Sequence, residues 1–234
     1  MMLDRAPHLS NIVPSHDKLV VLAPHPDDES LGCGKLLARA FAGGGAHVIC
    51  ITDGSASHPN SQEWPPARLA LCRRGEVTSA VIRLGGTAAD VTWMGLPDAK
   101  LYQLDPFGIA SDLLPILDAC AARHIFVPAA EDHHEDHKVV AEVARILRRM
   151  RPDWSYYSYP VWCRWDDPDF DRKVLTHDPL FLDAPVWRAA KRDAIAAHQS
   201  QLGQIVCDDP SGFTLPSALI EKFVDGDEIF WRMP

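Results

Sequence analysis

Short apolar runs alternate with amphipathic segments along most of the chain. The apolar runs are rich in β-branched residues and end at polar turns, which predicts strands at 18–24, 46–52, 90–94, 124–128 and 154–159. The segments between them carry apolar residues at helical spacing, which predicts helices at 30–41, 68–84, 107–123 (despite Pro115) and 137–150. The pattern therefore places a helix after each of the first four strands.

This alternation predicts an α/β fold with a mostly parallel sheet covered on both faces. One more helix is expected at 186–202, after an irregular stretch at 160–185, and the tail is expected to hold one or two short strands. Residues 1–17 are predicted to be a loose lead-in. Because no repeat or linker divides the chain, we expect one domain over residues 1–234.

Composition narrows the possible partners. The 234 residues are 47% hydrophobic and carry a net charge of −9, which argues against nucleic acid or an anionic membrane, since both favour a basic surface. The sequence contains no apolar run of membrane-spanning length and no pattern of a secretory signal. The six cysteines lack Cys-x-x-Cys spacing and are expected to be reduced thiols. Together these features predict a cytoplasmic protein, and nothing in them indicates an oligomeric state.

Charge and imidazole are concentrated just after two of the predicted strands. His25, Asp27, Asp28 and Glu29 follow the first strand, and residues 133–137 (His-His-Glu-Asp-His) follow the fourth. The carboxyl ends of parallel strands are where ligands bind in open α/β sheets. Imidazole and carboxylate without thiolate suit zinc or another first-row divalent ion in a catalytic site. The two segments therefore predict one shared metal site.

Spacing alone leaves part of this prediction open. Asp28 alone could serve as the N-cap of the following helix, although a cap does not explain His25 beside it. In the second segment, His134 and His137 are three residues apart, whereas His133 and His137 are four apart. Both spacings bring side chains near one helix face, so the choice between His133 and His134 stays open on this ground.

Residues 23–29 (Ala-Pro-His-Pro-Asp-Asp-Glu), followed by residues 134–137 (His-Glu-Asp-His), resemble the two main motifs of the PIG-L/LmbE-like family of zinc-dependent deacetylases. Weaker similarities lie at 52–54, 73–76, 96–98 and 198–201, so that the resemblance spans roughly residues 19–202. It implies the LmbE-like fold, a Rossmann-like three-layer sandwich. It also implies removal of an N-acyl group, usually N-acetyl, from a small amino-sugar substrate.

The resemblance also implies a role for each matching residue. His25, Asp28 and His137 are the expected zinc ligands, although Asp and His ligands also suit other divalent transition metals. Asp27 is expected to be the general base, and His134 to polarise the amide oxygen or to act as general acid. The remaining expectations are that Asp136 orients His134 and that Arg73 and Asp98 hold polar groups of the substrate.

Two other functions fit parts of the sequence. A non-catalytic sugar- or metal-binding module on the same scaffold is the main alternative, but it would not need both Asp27 and His134. A metal phosphoesterase is a third possibility, although such sites often use two metals and more ligands than are found here. Trp162 and Trp165 could stack on a sugar ring, whereas burial in the core is the commoner fate of tryptophan.

Overall fold

The computed structural model describes residues 7–233. The strands of its sheet are β1 (Leu19–Ala23), β2 (Ala46–Thr52), β3 (Val91–Leu96), β4 (His124–Pro128), β5 (Ser155–Tyr159), β6 (Leu180–Leu182) and β7 (Glu228–Arg232). Their order across the sheet is β3-β2-β1-β4-β5-β7-β6. The first five strands are parallel, and β7 runs antiparallel to both of its neighbours. This confirms the predicted α/β fold with a mostly parallel sheet.

Helices cover both faces of the sheet. Their bounds are α1 (Asp28–Phe41), α2 (Pro66–Arg83), α3 (Pro106–Cys120), α4 (Glu135–Met150), α5 (Trp162–Asp166), α6 (Phe170–Val174), α7 (Arg188–Ile195) and α8 (Ser217–Asp225). One layer of the core packs α1, α2, α7 and α8 against the sheet, and the other packs α3 and α4 against the opposite face. Among the described residues, no helix is both long enough and apolar enough to cross a membrane.

The central strand β1 shows why the apolar runs are continuous. Successive side chains of a strand point to opposite faces, and both faces of this sheet are covered. Leu19 and Val21 therefore pack into the layer that contains α1, whereas Val20 and Leu22 pack into the layer that contains α3. All four side chains are buried, so that packing on both faces fixes β1 and the position where the following loop begins.

The predicted helix at 186–202 is confirmed only over Arg188–Ile195, and its extension to 202 is wrong. Helix α7 ends at Ile195, and a separate 3-10 turn forms over Gln199–Leu202. His198, between them, leaves the helical backbone conformation and lies 3.0 Å from a carboxylate oxygen of Glu29. The contact of this buried histidine with a buried carboxylate replaces the continuation of the helix.

Three other segments are more ordered, or end earlier, than predicted. Residues 1–6 of the predicted lead-in lie outside the described residues, but Leu9 and Val13 are fully buried, so that 7–17 is not loose. The stretch 160–185 contains α5, α6 and β6 rather than irregular chain alone. Helix α3 accommodates Pro115 but ends at Cys120, because Ala121 adopts a left-handed backbone conformation with φ of 54°.

Candidate metal centre and active site

The two charged segments meet at one edge of the sheet. Strands β1 and β4 are hydrogen-bonded neighbours, so that the loops at their carboxyl ends lie side by side. The ring of His25, after β1, lies 4.5 Å from the ring of His134 and 5.3 Å from that of His137, measured between centroids. The predicted convergence of the two segments is therefore present in the structure.

The two predicted histidine ligands both approach one carboxylate oxygen of the third predicted ligand, Asp28. Oδ2 of Asp28 lies 3.2 Å from Nδ1 of His25 and 3.2 Å from Nε2 of His137. The ligand atoms of the three residues all lie within 4.8 Å of one another. Two imidazole nitrogens and one carboxylate oxygen form a donor set that suits catalytic zinc or another first-row divalent ion.

Asp132 fixes the orientation of His137. The Nδ1–H of His137 donates to Oδ2 of Asp132 at 2.8 Å, and both side chains are fully buried. When the ring is neutral, the lone pair of His137 is therefore on Nε2, which has no hydrogen-bond partner in the part of the chain that the structure describes. It faces an oxygen of Asp28 that is also an acceptor. A bound cation would satisfy both atoms, so that the residues present fit a metal ion.

His25 is oriented by two further carboxylates. Its Nε2 lies 3.2 Å from Oδ2 of Asp136 and 3.3 Å from Oδ1 of Asp98. Because carboxylates accept hydrogen bonds, the ring proton of His25 belongs on Nε2, which leaves the Nδ1 lone pair facing Asp28. This arrangement directs the ligand atoms of His25 and His137 toward the same point.

The expected pairing of Asp136 with His134 requires a correction. The Asp136 carboxylate accepts the backbone N–H groups of Ala99 at 2.8 Å and Leu101 at 3.1 Å, in addition to its contact with His25. Only the backbone N–H of Asp136 reaches His134, where it donates to Nδ1 at 3.2 Å. The hydrogen bonds of the Asp136 side chain therefore orient His25 rather than His134.

The charged groups around His137 and Asp28 favour a positive charge between these two side chains. Burial lowers the pKa of His137, but Asp28 and Asp132 more than offset this effect and raise it to about 9. Burial raises the pKa of Asp28, but His137 and His25 outweigh burial and hold that pKa well below its usual range. Buried carboxylates that stabilise a proton on imidazole also favour a metal cation, and the two compete for the same nitrogen.

Asp27 lies beside the predicted metal ligands in a strained conformation. Its φ of 151° is unusual for a residue with a side chain and costs about 1–3 kcal/mol. Its backbone N–H donates to Oε2 of Glu29 at 3.0 Å, and its carboxylate accepts Nη2 of Arg73 at 3.1 Å. Burial raises the pKa of Asp27 to about 6, with Arg73 opposing the rise. Glu29 and Arg73 thus hold the predicted base in place.

Arg73 and Asp98 line the cavity and also bond other residues of the site. Arg73 also donates to the backbone carbonyls of Gly54 at 2.9 Å and Pro26 at 2.8 Å, so that it joins the loops after β1 and β2. Asp98 accepts the N–H of Ala56 at 2.8 Å. Their predicted contacts with substrate stay predictions, and the structure shows in addition that Arg73 supports Asp27.

The structure separates His133 from His134. His134 is half-buried and accepts a backbone N–H at Nδ1, which places its ring proton on Nε2. Burial lowers its pKa to about 4, so that the ring is neutral near pH 7. His133 is exposed, and its Nδ1 lies 3.6 Å from Oδ2 of Asp166. Of His133 and His134, it is His134 whose ring contacts the ring of His25.

A cavity of about 710 Å³ opens onto these groups. The predicted site residues that line it are His25, Asp27, Asp28, Arg73, Asp98 and His134. One residue that supports the site escaped the sequence reasoning, because Asp132 lies five positions before His137 without a distinctive motif. His198, which contacts Glu29, lies in segment 198–201, whose similarity the sequence had already indicated.

Comparisons with known proteins identify the family of this chain. Residues 20–157, more than half of the chain, match the family model PIG-L, described as GlcNAc-PI de-N-acetylase. The chain belongs to the PIG-L family. A curated relative from Kineococcus radiotolerans, a 1D-myo-inositol 2-acetamido-2-deoxy-alpha-D-glucopyranoside deacetylase, is 31% identical over 146 residues, which cover 58% of this chain and 37% of the relative. The chain thus spans less than two thirds of the curated relatives it matches.

Solved structures show the same fold with different reactions. N,N'-diacetylchitobiose deacetylase from Pyrococcus horikoshii superposes with a TM-score of 0.68 at 20% identity, over 93% of this chain and 84% of that one. The 4-carboxy-2-hydroxymuconate hydratase GalB from Pseudomonas putida gives 0.65 at 19% identity, over 89% and 83%. At these identities the similarity concerns the fold, and function has to be argued from the site.

Proposed function

We propose that the protein is a metal-dependent hydrolase that removes an N-acyl group, with acetyl the first to test, from an amino sugar. The observation that carries the proposal is the convergence of His25, Asp28 and the buried His137, with Asp27 beside His25 and Asp28 in the lining of one cavity. The curated relatives are deacetylases of an N-acetylglucosamine conjugate, which supports the choice of substrate class.

His25, Asp28 and His137 would hold the ion, and zinc is the first candidate. When bound, a divalent cation supplies a Lewis acid that polarises an amide carbonyl and lowers the pKa of water. Asp27 accepts the proton of the attacking water, and its pKa of about 6 leaves it ionised at neutral pH. The water oxygen bonds to the acyl carbon, the C–N bond breaks, and the proton goes to the departing amine.

His134 assists as a neutral hydrogen-bond donor. Its proton is on Nε2, because Nδ1 accepts the backbone N–H of Asp136, and its lowered pKa keeps the ring uncharged at neutral pH. A donor of this kind stabilises the negative charge that develops on the carbonyl oxygen. Of the two roles expected for His134, the geometry supports oxygen polarisation over general acid catalysis.

The alternative of a non-catalytic binding module is less consistent with the site. Binding a sugar or an ion does not require Asp27 to be held at a φ of 151° by Glu29 and Arg73. Strain of this kind persists only where the surroundings enforce it, and it is concentrated at functional positions. We therefore keep the binding module as an outcome of the following test.

The test is amine release from N-acetylated amino sugars. Purified protein is stripped with a chelator, reloaded separately with zinc, cobalt or manganese, and assayed with N-acetylglucosamine, N,N'-diacetylchitobiose and an N-acetylglucosaminyl inositol. We expect equal amounts of amine and acetate, and only from reloaded protein. Asp27→Asn and His134→Ala should lower kcat by about 100-fold or more, whereas His133→Ala should retain activity.

Two results would contradict the proposal. Amine release that persists after complete removal of the metal would exclude the metal-dependent reaction. Binding of these sugars without any release, by protein whose metal content is one ion per chain, would identify the binding module instead. Loss of activity in His133→Ala but not in His134→Ala would leave the reaction in place and overturn the role given to His134.

A further inference from the structure

The cavity contains an apolar wall that the proposed chemistry does not use. Its volume, about 710 Å³, is in the range that encloses ligands of drug size, so that an N-acetylhexosamine alone would leave part of it unfilled. The larger apolar residues of the lining are Leu31, Pro59, Trp162, Phe213 and Leu215. We call this set the apolar wall.

Trp162 and Phe213 form the aromatic part of the apolar wall. Their ring centroids are 5.6 Å apart and their planes meet at 75°, which is an edge-to-face contact. Both residues are only half-buried, and both line the cavity. Aromatic pairs in this geometry provide a large, stiff apolar surface.

Phe213 is held by a link between two distant loops. Its backbone N–H donates to the carbonyl of Ser57 at 2.8 Å. Nearby, the carboxylate of Asp209 accepts the N–H groups of Asn60 at 2.9 Å and Ser211 at 3.1 Å. The carboxylate of Asp208 accepts the N–H groups of Gln62 and Glu63. These bonds join segments 57–63 and 208–213 into one unit above the site.

Trp162 is held in place through the loop that follows β4. Its two neighbours, Val161 and Cys163, donate their backbone N–H groups to the carboxylate of Asp132 at 3.2 Å and 2.9 Å. Asp132 is the residue that also orients His137. The apolar wall is thus pre-organised by buried or well-bonded carboxylates, and a ligand that packs against it would not have to order it.

We propose that the apolar wall binds an apolar substituent of the substrate, so that the enzyme prefers amphiphilic N-acyl amino sugars to the free monosaccharide. The inference rests on the proposed function and specifies its substrate class. Such a substituent can be a long acyl chain on the nitrogen or an apolar group on the anomeric oxygen. Both sources share the chemistry that the apolar wall recognises, and the experiment separates them.

The experiment measures equilibrium binding by calorimetry and does not depend on turnover. The probes are N-acetylglucosamine, its benzyl glycoside and N-octanoylglucosamine. We expect at least one amphiphilic probe to bind about tenfold more tightly than N-acetylglucosamine, from the burial of its apolar group. Phe213→Ala and Trp162→Ala should each remove most of this preference, measured as the ratio of the two affinities within each variant. Phe107→Ala, at an exposed position on α3 outside the cavity, is the matched control.

The outcomes separate this inference from the proposed function. Equal affinity of the unmodified protein for all three probes would overturn the inference, whatever the variants do. A preference that survives in both Phe213→Ala and Trp162→Ala would also overturn it. If metal-loaded protein hydrolyses the probes with equal kcat/KM and binds them equally, the proposed function stands and the inference fails. If the amphiphilic probes bind preferentially but none is hydrolysed, the inference stands and the hydrolase proposal fails.

Discussion

Replacing Asp132 by Asn tests whether the hydrogen bond to His137 prepares the metal site. In the structure, Oδ2 of Asp132 accepts the Nδ1–H of His137, and Oδ1 accepts the N–H of Cys163. An asparagine that keeps its oxygen toward Cys163 presents an N–H to His137. The imidazole then has to accept at Nδ1 and carry its proton on Nε2, where the metal should bind. The opposite orientation of the amide leaves the N–H of Cys163 without an acceptor.

The size of the effect follows from these contacts. Loss of a partner that orients a ligating histidine costs 10- to 100-fold in metal affinity, which corresponds to about 1.4–2.7 kcal/mol. Because Asp132 is fully buried, an unpaired N–H in its surroundings should also lower the free energy of unfolding by about 1–3 kcal/mol. We therefore expect Asp132→Asn to fold with reduced stability and to bind the metal more weakly.

The assay is competition for zinc with a chromophoric chelator of known affinity, at fixed pH. Asp112→Asn, on the exposed side of α3, changes the same charge away from the site and should leave the Kd within about twofold of the unmodified protein. A Kd for Asp132→Asn that also stays within twofold, in protein shown by circular dichroism to be folded, would refute the role of Asp132.

Two further predictions concern the base and the packing. Because Arg73 lowers the pKa of Asp27, Arg73→Gln should move the acid limb of the profile of kcat/KM against pH to higher pH. An acid limb at the same pH as in the unmodified protein would contradict the effect of this contact. Arg74→Gln, at an exposed position of the same helix, is the control. Gly32→Ala should lower the free energy of unfolding by about 1–3 kcal/mol, because its new Cβ would lie 2.3 Å from the ring of Tyr159. Gly75→Ala, with open space around it, should instead stabilise α2 by about 0.5–1 kcal/mol, and equal denaturation midpoints for the two variants would contradict this reasoning.

The sheet was predictable because its strands are buried on both faces. A run such as Leu19–Ala23 has no polar position that could face solvent, and its length and flanking turns distinguish it from a helix. The convergence of the two charged segments was predictable for a related reason, since a dense group of charges after a buried strand indicates a ligand. These inferences need only local sequence and the direction of the chain.

The partners of the charged groups were not predictable in the same way. Asp132 and Asp136 both lie within five residues of His137, and sequence spacing does not tell which carboxylate will face which imidazole. The first turn of α4 decides this by directing Asp136 toward His25 and leaving Asp132 to bond His137. Long-range contacts, such as that of His198 with Glu29 across 169 positions, have no local signature at all.

Among the described residues, the predicted catalytic centre and the apolar wall come largely from different parts of the fold. The predicted ligands and base come from the ends of β1 and β4 and the starts of α1 and α4, whereas the apolar wall takes Pro59 and Phe213 from connecting segments and Trp162 from the start of the short helix α5. Connecting segments tolerate exchange far better than the core strands do. Loop grafting near 59 and 213 should therefore change which conjugates the protein accepts and leave the predicted metal ligands in place.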